Sequence, residues 1–119
     1  MADFNVNLRG VGPVSVIDVK GYLDAHTAPE LEGVFNRLLD QKQYQVVVNF
    51  NDLKYISSAG LGVFMAYVET MRENSGDIKF SNMKENVYNI FDLLGFPILY
   101  EFYKEENEAI LKFNELGKS

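Results

Sequence analysis

The sequence has no cysteine and no tryptophan, only one histidine, and three prolines among 119 residues. Without cysteine, disulfides and thiolate metal sites are excluded, and this composition agrees with the cytoplasmic location that we expect. No apolar run approaches the roughly 20 residues that a membrane-spanning helix needs. The first ten residues also lack the charged-then-apolar plan of a signal peptide. We therefore expect no membrane insertion.

Basic residues are also scarce, with 11 Lys and Arg against 17 Asp and Glu, a net charge of −6 and a pI near 4.7. A nucleic-acid surface needs clustered Lys and Arg to neutralise phosphates, so direct nucleic-acid binding is not expected. The acidic charge suits a partner that is neutral or basic. The length fits one domain, which we assign to residues 1–119.

The apolar periodicity predicts nine elements in the order β-β-α-β-α-β-α-β-α. The first two strands read as a hairpin, and the later alternation of strand and helix implies parallel strands joined by right-handed crossovers. The fold class is therefore α/β, with a mixed, mostly parallel sheet of about five strands and four helices. We predict strands over 3–8, 14–20, 44–53, 78–82 and 98–103, and helices over 27–40, from about 58 to the "ENSGD" segment at 73–77, over 84–96 and over 105–117.

Several side chains are predicted to end or anchor these helices. Thr27 is a good N-cap for the first helix, and Gly76 is a plausible C′ residue for the second. The inward stripe of the second helix is predicted to comprise Leu61, Phe64, Met65, Val68 and Met71. The terminal helix would dock through Ala109, Leu111 or Leu116, and Phe113.

The segment "YISSAGLG", residues 55–62, combines two serines with two glycines at the start of the second helix. Ser57 or Ser58 could cap the helix by accepting a backbone N–H bond. A cap does not explain the glycines, because glycine in a first helical turn costs up to about 1 kcal/mol relative to alanine. Something must approach this backbone closely, either a neighbouring element or a partner molecule.

Two catalytic or ligand-binding interpretations of this segment are weak. The segment is not the G-x-S-x-G of a serine hydrolase, and its only available base would be His26. It lacks the third glycine of a dinucleotide fingerprint and the Lys-Ser/Thr of a phosphate-binding loop. A small-ligand binder or hydrolase remains an alternative that His26→Ala would test.

Covalent phosphorylation of a serine is a further interpretation of the segment. A phosphoserine at a helix N-terminus is tolerated because the helix dipole favours an anion. The fold would survive while the surface gains a charge of about −1.5 to −2. A partner packed against the small residues would then meet added bulk and an uncompensated charge.

Residues 49–67, "NFNDLKYISSAGLGVFMAY", resemble the signature of STAS-domain anti-sigma factor antagonists. Asp52 and Leu53 match an acidic-Leu pair, Ser58 falls at the phosphorylated serine, and Gly60 and Leu61 match the positions after it. A second segment, "VKGYLDAHTAPEL" at 19–31, matches through Gly21 and Asp24. The predicted element order is also that of the family, so the resemblance covers nearly the whole chain.

Two positions depart from the family pattern. Ser57 stands where such antagonists often have Asp, and Ala59 stands where they often have Ser. The first departure removes a nearby negative charge and adds Ser57 as an alternative phosphate acceptor. The resemblance favours Ser58, because its separation in sequence from Asp52 and Gly60 matches that of the family.

The resemblance implies a partner-switching regulator, not an enzyme, that needs no cofactor and no metal. Unphosphorylated, it would bind an anti-sigma factor with serine-kinase activity and release the sigma factor. Phosphorylation of Ser58 would end binding, and a serine phosphatase would reset the switch. The chain would be a monomer or a weak homodimer. The alternative is a non-switching STAS interaction or scaffold module within a signalling complex.

The predicted topology brings two loops together beside Ser58. Asp24 and His26 follow one strand, and Asn49, Asn51 and Asp52 are predicted to end its parallel neighbour. Asp24 could cap its own loop or contact the partner, and both interpretations stay open; for Asn49 we favour a strand-end hydrogen bond. Off the inward stripe, Tyr67 is favoured for partner contact over Val63, which could reach the sheet. The predicted partner-binding residues are Asp24, Asn51, Asp52, Ser57, Ala59, Gly60, Leu61, Gly62 and Tyr67.

Overall fold

A computed structural model describes residues 3–116, with the side chains of residues 3–115. Five strands and five helices follow one another in the order β-β-α-β-α-β-α-α-β-α. The strands are β1 (Phe4–Val11), β2 (Val14–Leu23), β3 (Gln45–Ile56), β4 (Asp77–Ser81) and β5 (Phe102–Tyr103). The helices are α1 (Ala28–Asp40), α2 (Ser58–Glu73), α3 (Glu85–Leu93), α4 (Phe96–Leu99) and α5 (Glu106–Leu116).

The strands form one mixed sheet in the order β1-β2-β3-β4-β5. β1 and β2 are an antiparallel hairpin whose register runs from Phe4 opposite Gly21 to Val11 opposite Val14. The other three pairs of neighbouring strands are parallel. The predicted hairpin and the mixed, mostly parallel sheet are confirmed.

Apolar side chains cover both faces of the central strands. Ile17 and Val19 of β2 belong to the larger core, whereas Val14 and Val16 belong to a smaller one. This division explains why the consecutive residues Val16 and Ile17 are both apolar and both buried, although neighbouring side chains of a strand point to opposite faces. The larger core includes residues from α1, α2, α3 and α4, and the smaller core includes residues from α5.

α5 packs through part of its predicted docking set. Ala109 and Phe113 are buried as predicted, whereas Leu111 is exposed. Ile110, which the prediction omitted, is also buried. The side chain of Leu116 and the predicted helix end at Gly117 lie outside the described part of the chain.

Two irregularities in β3 extend it beyond its predicted end. While β2 advances from Asp18 to Lys20, β3 advances from Asn49 to Asp52, so β3 carries one extra residue. A second extra residue follows where Gly21 and Tyr22 pair with Leu53 and Tyr55. Because each β-bulge inserts one extra residue, the side chains after it point to the opposite face from the one that strict alternation would give. As a result, Phe50, Leu53 and Ile56 all point into the core at three-residue spacing.

The region between α3 and α5 differs from the prediction. The apolar segment at 98–103 was predicted as a strand, but Phe96–Leu99 form the short helix α4 and only Phe102–Tyr103 pair with β4. Gly95, with a left-handed φ of 79°, follows the end of α3 and lets the chain enter α4. A helix count of four was therefore wrong, and the structure has five.

Both capping predictions need correction, because Thr27 is the N-cap residue of α1 but makes no capping bond, and Gly76 lies one residue beyond the C′ position of α2, whose C-cap is Asn74. Thr27 precedes α1, but its hydroxyl donates to the carbonyl oxygen of Tyr22 at 2.9 Å and caps no helical N–H. At the end of α2, the left-handed residue is Ser75 with φ of 66°. Gly76 is required for a different reason, because a Cβ there would overlap the backbone of Tyr44.

Candidate functional site

The predicted phosphoacceptor segment lies where β3 ends and α2 begins. Ile56 is the last residue of β3, Ser57 is the N-cap and Ser58 is the first residue of α2. The backbone N–H of Ser57 donates to the carbonyl oxygen of Leu23, the last residue of β2, at 2.9 Å. This bond ties the segment to the end of the neighbouring parallel strand.

The two serines have different surroundings. The Ser57 side chain makes no capping bond, and its buried Oγ has no hydrogen-bond partner among residues 3–116. Ser58 is exposed. Since the first N–H groups of a helix have no carbonyl partner within it, Ser58 places an accessible hydroxyl beside the positive end of the α2 dipole. Neither serine side chain therefore acts as the predicted cap.

The two glycines after Ser58 have different reasons to be glycine. A Cβ on Gly60 would lie 2.7 Å from Cγ of Leu23 and 3.1 Å from its carbonyl oxygen. Gly60 therefore lets α2 approach the end of β2. A Cβ on Gly62 would meet nothing within 4 Å. Of the two interpretations of the glycines, the neighbouring element explains Gly60, and Gly62 is open to solvent.

Asp24 holds the loop between β2 and α1 in place. Its Oδ1 accepts hydrogen bonds from the backbone N–H groups of His26 at 2.9 Å and Thr27 at 3.1 Å. The interpretation of Asp24 as a loop-capping carboxylate is confirmed. Because Leu23 bonds to Ser57, this loop also adjoins the start of α2. His26 is exposed, and the structure records no hydrogen bond between its ring and either serine.

Asn49, Asn51 and Asp52 do not lie at the end of β3, contrary to the prediction. The strand continues to Ile56, so Asp52 is four residues, or roughly 13 Å, before its last residue. The amide of Asn49 donates to Glu106 of α5 at 3.0 Å, and that of Asn51 donates to Asp52 at 3.1 Å. These three side chains therefore do not converge on Ser58. Partner binding by Asn51 and Asp52 stays a prediction.

The faces of α2 match the prediction only in part. Leu61 and Phe64 are buried, but Met65 of the predicted inward stripe is 58% exposed. Val63 is buried, so it does reach the sheet. Tyr67 stacks on Phe35 of α1 with ring centroids 5.0 Å apart. Its hydroxyl donates to Oδ1 of Asn36 at 2.8 Å, and burial raises the pKa of Tyr67.

An apolar groove that the sequence did not predict runs from Ser58 along α2. The part beside the start of α2 is a cavity of about 290 Å³ that is lined by Ser58, Met65 and Leu99, among others. The part toward the end of α2 is a second cavity of about 490 Å³ that shares Met65 and Leu99 and reaches Glu73. We call the two together the α2–α4 groove. Its remaining lining residues are Leu61, Val68, Glu69, Arg72, Leu94, Phe96 and Tyr100.

Of the described residues that line the cavity beside Ser58, Tyr100 alone carries a titratable side chain. Burial raises the pKa of the Tyr100 hydroxyl, at the wall of the groove, to about 12. Over residues 3–116, no group of three or more His, Asp or Glu side chains could hold a metal ion, and no helix is long and apolar enough to cross a membrane. The arrangement offers an accessible hydroxyl at the rim of an apolar surface.

Comparison with known proteins assigns the fold. A family model described as STAS domain matches residues 5–109. The chain belongs to the STAS domain family. The anti-sigma-B factor antagonist of Staphylococcus epidermidis is 29% identical over 93 residues, covering 76% of this chain and 86% of that protein.

Two solved structures show the same STAS fold. An anti-sigma factor antagonist from Mycobacterium paratuberculosis has a TM-score of 0.86 at 20% identity, covering 94% of this chain and 95% of that chain. The Bacillus cell fate determinant SpoIIAA in its phosphorylated form has a TM-score of 0.70 at 20% identity, covering 92% and 98%. The expected STAS fold is therefore confirmed.

Proposed function

We propose that this STAS protein is an anti-sigma factor antagonist that is switched by phosphorylation of Ser58. Unphosphorylated, it binds an anti-sigma factor with serine-kinase activity and thereby frees a sigma factor in the cytoplasm. Phosphorylation ends that binding, and a serine phosphatase restores it. The relatives named as anti-sigma-B factor antagonists support this role.

The observation that carries the proposal is the contrast between the two serines. Ser58 presents an exposed hydroxyl on the first residue of α2, whereas Oγ of Ser57 is buried. A kinase can reach the first hydroxyl without unfolding the helix. A phosphate there adds about −1.5 to −2 charges beside the free N–H groups of the first turn, which favour an anion. The phosphorylated protein would therefore stay folded while its surface changes.

The surroundings of Ser58 are suited to a switch in binding. The residue lies at one end of the α2–α4 groove, beside apolar side chains such as Leu94 and Leu99. A partner that covers the hydroxyl would also have to bury the phosphate. Burying an unpaired charge is costly, so the modified form would release the partner.

The experiment is to isolate the protein from its native host and map its phosphorylation by mass spectrometry. Trypsin cleavage after Lys54 and Arg72 releases residues 55–72, which carry both serines on one peptide. We expect phosphate on Ser58 that varies with growth conditions. Phosphate on Ser57 would keep the switch but refute the assignment. An unmodified peptide under all conditions, even with candidate kinases and ATP, would favour a non-switching scaffold.

Matched variants then test whether Ser58 controls binding. Ser58→Ala is expected to bind the kinase and remain unmodified, and Ser58→Glu is expected to bind it at least tenfold more weakly. Ser57→Ala is the control and should be phosphorylated like the parent protein. The proposed switch would be contradicted if Ser58→Glu and the phosphorylated protein both bound the kinase with the same affinity as the unphosphorylated parent protein.

A further inference from the structure

The α2–α4 groove exposes several large apolar side chains next to one another. Met65, Leu94 and Leu99 are each between 56% and 59% exposed and line the same cavity. Leu93 and Ile98, on the adjoining α3–α4 segment, are 86% and 87% exposed. Single exposed apolar residues are ordinary on a protein surface, but a contiguous group of them marks an interaction site.

The two ends of the groove differ in charge. Ser58 lies at one end, and Glu69 and Glu73 lie at the other. Neither glutamate makes an ion pair with any residue from 3 to 116. The one cation that lines this end, Arg72, pairs with Asp77 at 2.8 Å and also bonds to the carbonyl oxygen of Leu99. The far end is therefore acidic.

The length and walls of the groove define the shape of its occupant. From Ser58 to Glu73, α2 advances roughly 23 Å at 1.5 Å per residue. That distance matches about four turns of another helix. The walls are formed by α2, α4 and the end of α3 and contain no strand with a free edge. A helix that lays its apolar side chains between these walls fits this shape, whereas an added strand would have nothing to pair with.

We propose that the α2–α4 groove binds an amphipathic helix of the partner protein. The helix would place apolar residues at i, i+3 or i+4, and i+7 against Met65 and Leu99. It would place a Lys or Arg against Glu69 and Glu73. This inference rests on the proposed function, since it names the surface and the chemistry through which the anti-sigma factor would be held.

The geometry also links this docking surface to the switch. A phosphate on Ser58 would stand at the apolar end of the groove, about four turns from the acidic end. A basic residue that pairs with Glu73 could not reach it at the same time. The phosphate would therefore be covered by apolar side chains without a counter-ion, and binding would weaken.

The first test uses the kinase that phosphorylates Ser58 and measures its affinity by calorimetry. Leu99→Asp is expected to weaken binding at least tenfold. The matched control is Leu111→Asp, because Leu111 is 57% exposed against 59% for Leu99 and lies on α5 across the sheet. The double variant Glu69→Lys, Glu73→Lys should also weaken binding, and should reduce its dependence on salt. Unchanged affinity of Leu99→Asp, with its circular dichroism spectrum retained, would overturn the groove as the docking site.

The second test does not depend on the kinase or on phosphorylation. The probes are two 16-residue helical peptides with the same leucine stripe, one ending in two lysines and the other in two glutamates. We expect the lysine peptide to shift the backbone NMR signals of α2 and α4 and to bind at least tenfold more tightly. Binding by neither peptide, or shifts confined to another surface, would overturn the inference and leave the proposed phosphorylation of Ser58 untouched.

A second copy of the chain is the competing occupant. Sedimentation equilibrium of the unphosphorylated protein distinguishes it from a partner helix. We expect the mass of a monomer at micromolar concentrations, and the same mass for Leu99→Asp. A dimer that Leu99→Asp dissociates would overturn the inference in favour of self-association through this groove.

Discussion

The backbone N–H of Ser57 donates to the carbonyl oxygen of Leu23 at 2.9 Å, and Gly60 lies against the same residue. Leu23 is thus the point at which the end of β2 meets the start of α2. Asp24, the next residue, fixes the β2–α1 loop through its carboxylate. The start of α2 is therefore held against the residue that precedes Asp24, although Asp24 and Ser58 are more than 30 residues apart in sequence.

Replacing Gly60 by alanine should destabilise the protein, whereas the same change at Gly62 should not. The new Cβ at position 60 would lie 2.7 Å from Cγ of Leu23, so α2 must move or the leucine must repack. Such overpacking costs about 1–3 kcal/mol. At position 62 the Cβ meets nothing within 4 Å, and alanine should raise helix stability by about 0.5–1 kcal/mol.

Urea unfolding of the two glycine variants checks this pair of expectations. The midpoint should fall for Gly60→Ala and rise for Gly62→Ala, with the slope unchanged. If both variants moved the midpoint in the same direction, the close approach at Leu23 would not be the reason for glycine at position 60.

Asp24→Ala should destabilise the fold by about 0.5–2 kcal/mol, as the loss of a helix-capping carboxylate does. The cause would be the loss of the bonds from the N–H groups of His26 and Thr27. Asp24→Asn is the control, because its amide oxygen can accept the same bonds. Thermal unfolding measures both variants. Equal melting temperatures for Asp24→Ala and the parent protein would show that these two hydrogen bonds do not stabilise the fold.

Ser57→Ala should leave stability unchanged or raise it by up to about 1 kcal/mol, since a buried polar atom without a hydrogen bond is a cost to folding. Oγ of Ser57 is such an atom within the described chain. The free energy of unfolding from a urea titration distinguishes the alternatives. A loss of about 1 kcal/mol would show that the hydroxyl caps α2 in solution.

The pH dependence of stability should include a contribution from Glu106. A hydrogen bond from Arg9, at 2.5 Å, lowers the pKa of Glu106 below its ordinary value of 4.5. Because the folded protein binds this proton less tightly than the unfolded chain, the stabilisation is complete above pH 4.5. It is lost as the pH falls through the lower, folded-state pKa.

Glu106→Gln isolates this contribution. Its unfolding free energy, measured from about pH 6 to pH 3, should fall less steeply with acid than that of the parent protein. Glu105→Gln is the control, because Glu105 is the adjacent exposed residue and does not contact Arg9. Parallel pH profiles for Glu106→Gln and the parent protein would show that the ion pair with Arg9 is absent in solution.

Strong local patterns were sufficient to predict most of the fold. The β-branched run at Val46–Val48 predicts a strand that is buried on both faces, and β3 has these residues buried. The helical spacing of four apolar residues predicts α1, in which all four are buried: Leu31, Val34, Phe35 and Leu38. The segment after Gly95 was mispredicted because a short apolar run fits a strand and a buried helical turn equally well. Packing of Phe96 on Phe91, with ring centroids 5.1 Å apart, selects the helical turn.

The candidate site was predicted only where it follows from local sequence. The exposure of Ser58 and the constraint at Gly60 belong to one strand–helix junction, which the serine–glycine pattern marks. The α2–α4 groove depends on how α4 packs against α2, and the sequence predicted a strand in place of α4. Met65 was accordingly assigned to the core, since its spacing fits the inward stripe and only tertiary contacts place it at the surface.

The two extra residues in β3 make chain length between residues 49 and 56 more critical than side-chain identity. Lys54 and Tyr55 are exposed, so exchanging them for other residues should be harmless. Removing a single residue would erase one bulge, turn the following side chains to the opposite face of the sheet and shift the start of α2, with Ser58, relative to β2. Working variants of this protein should therefore differ in composition here but keep the same number of residues.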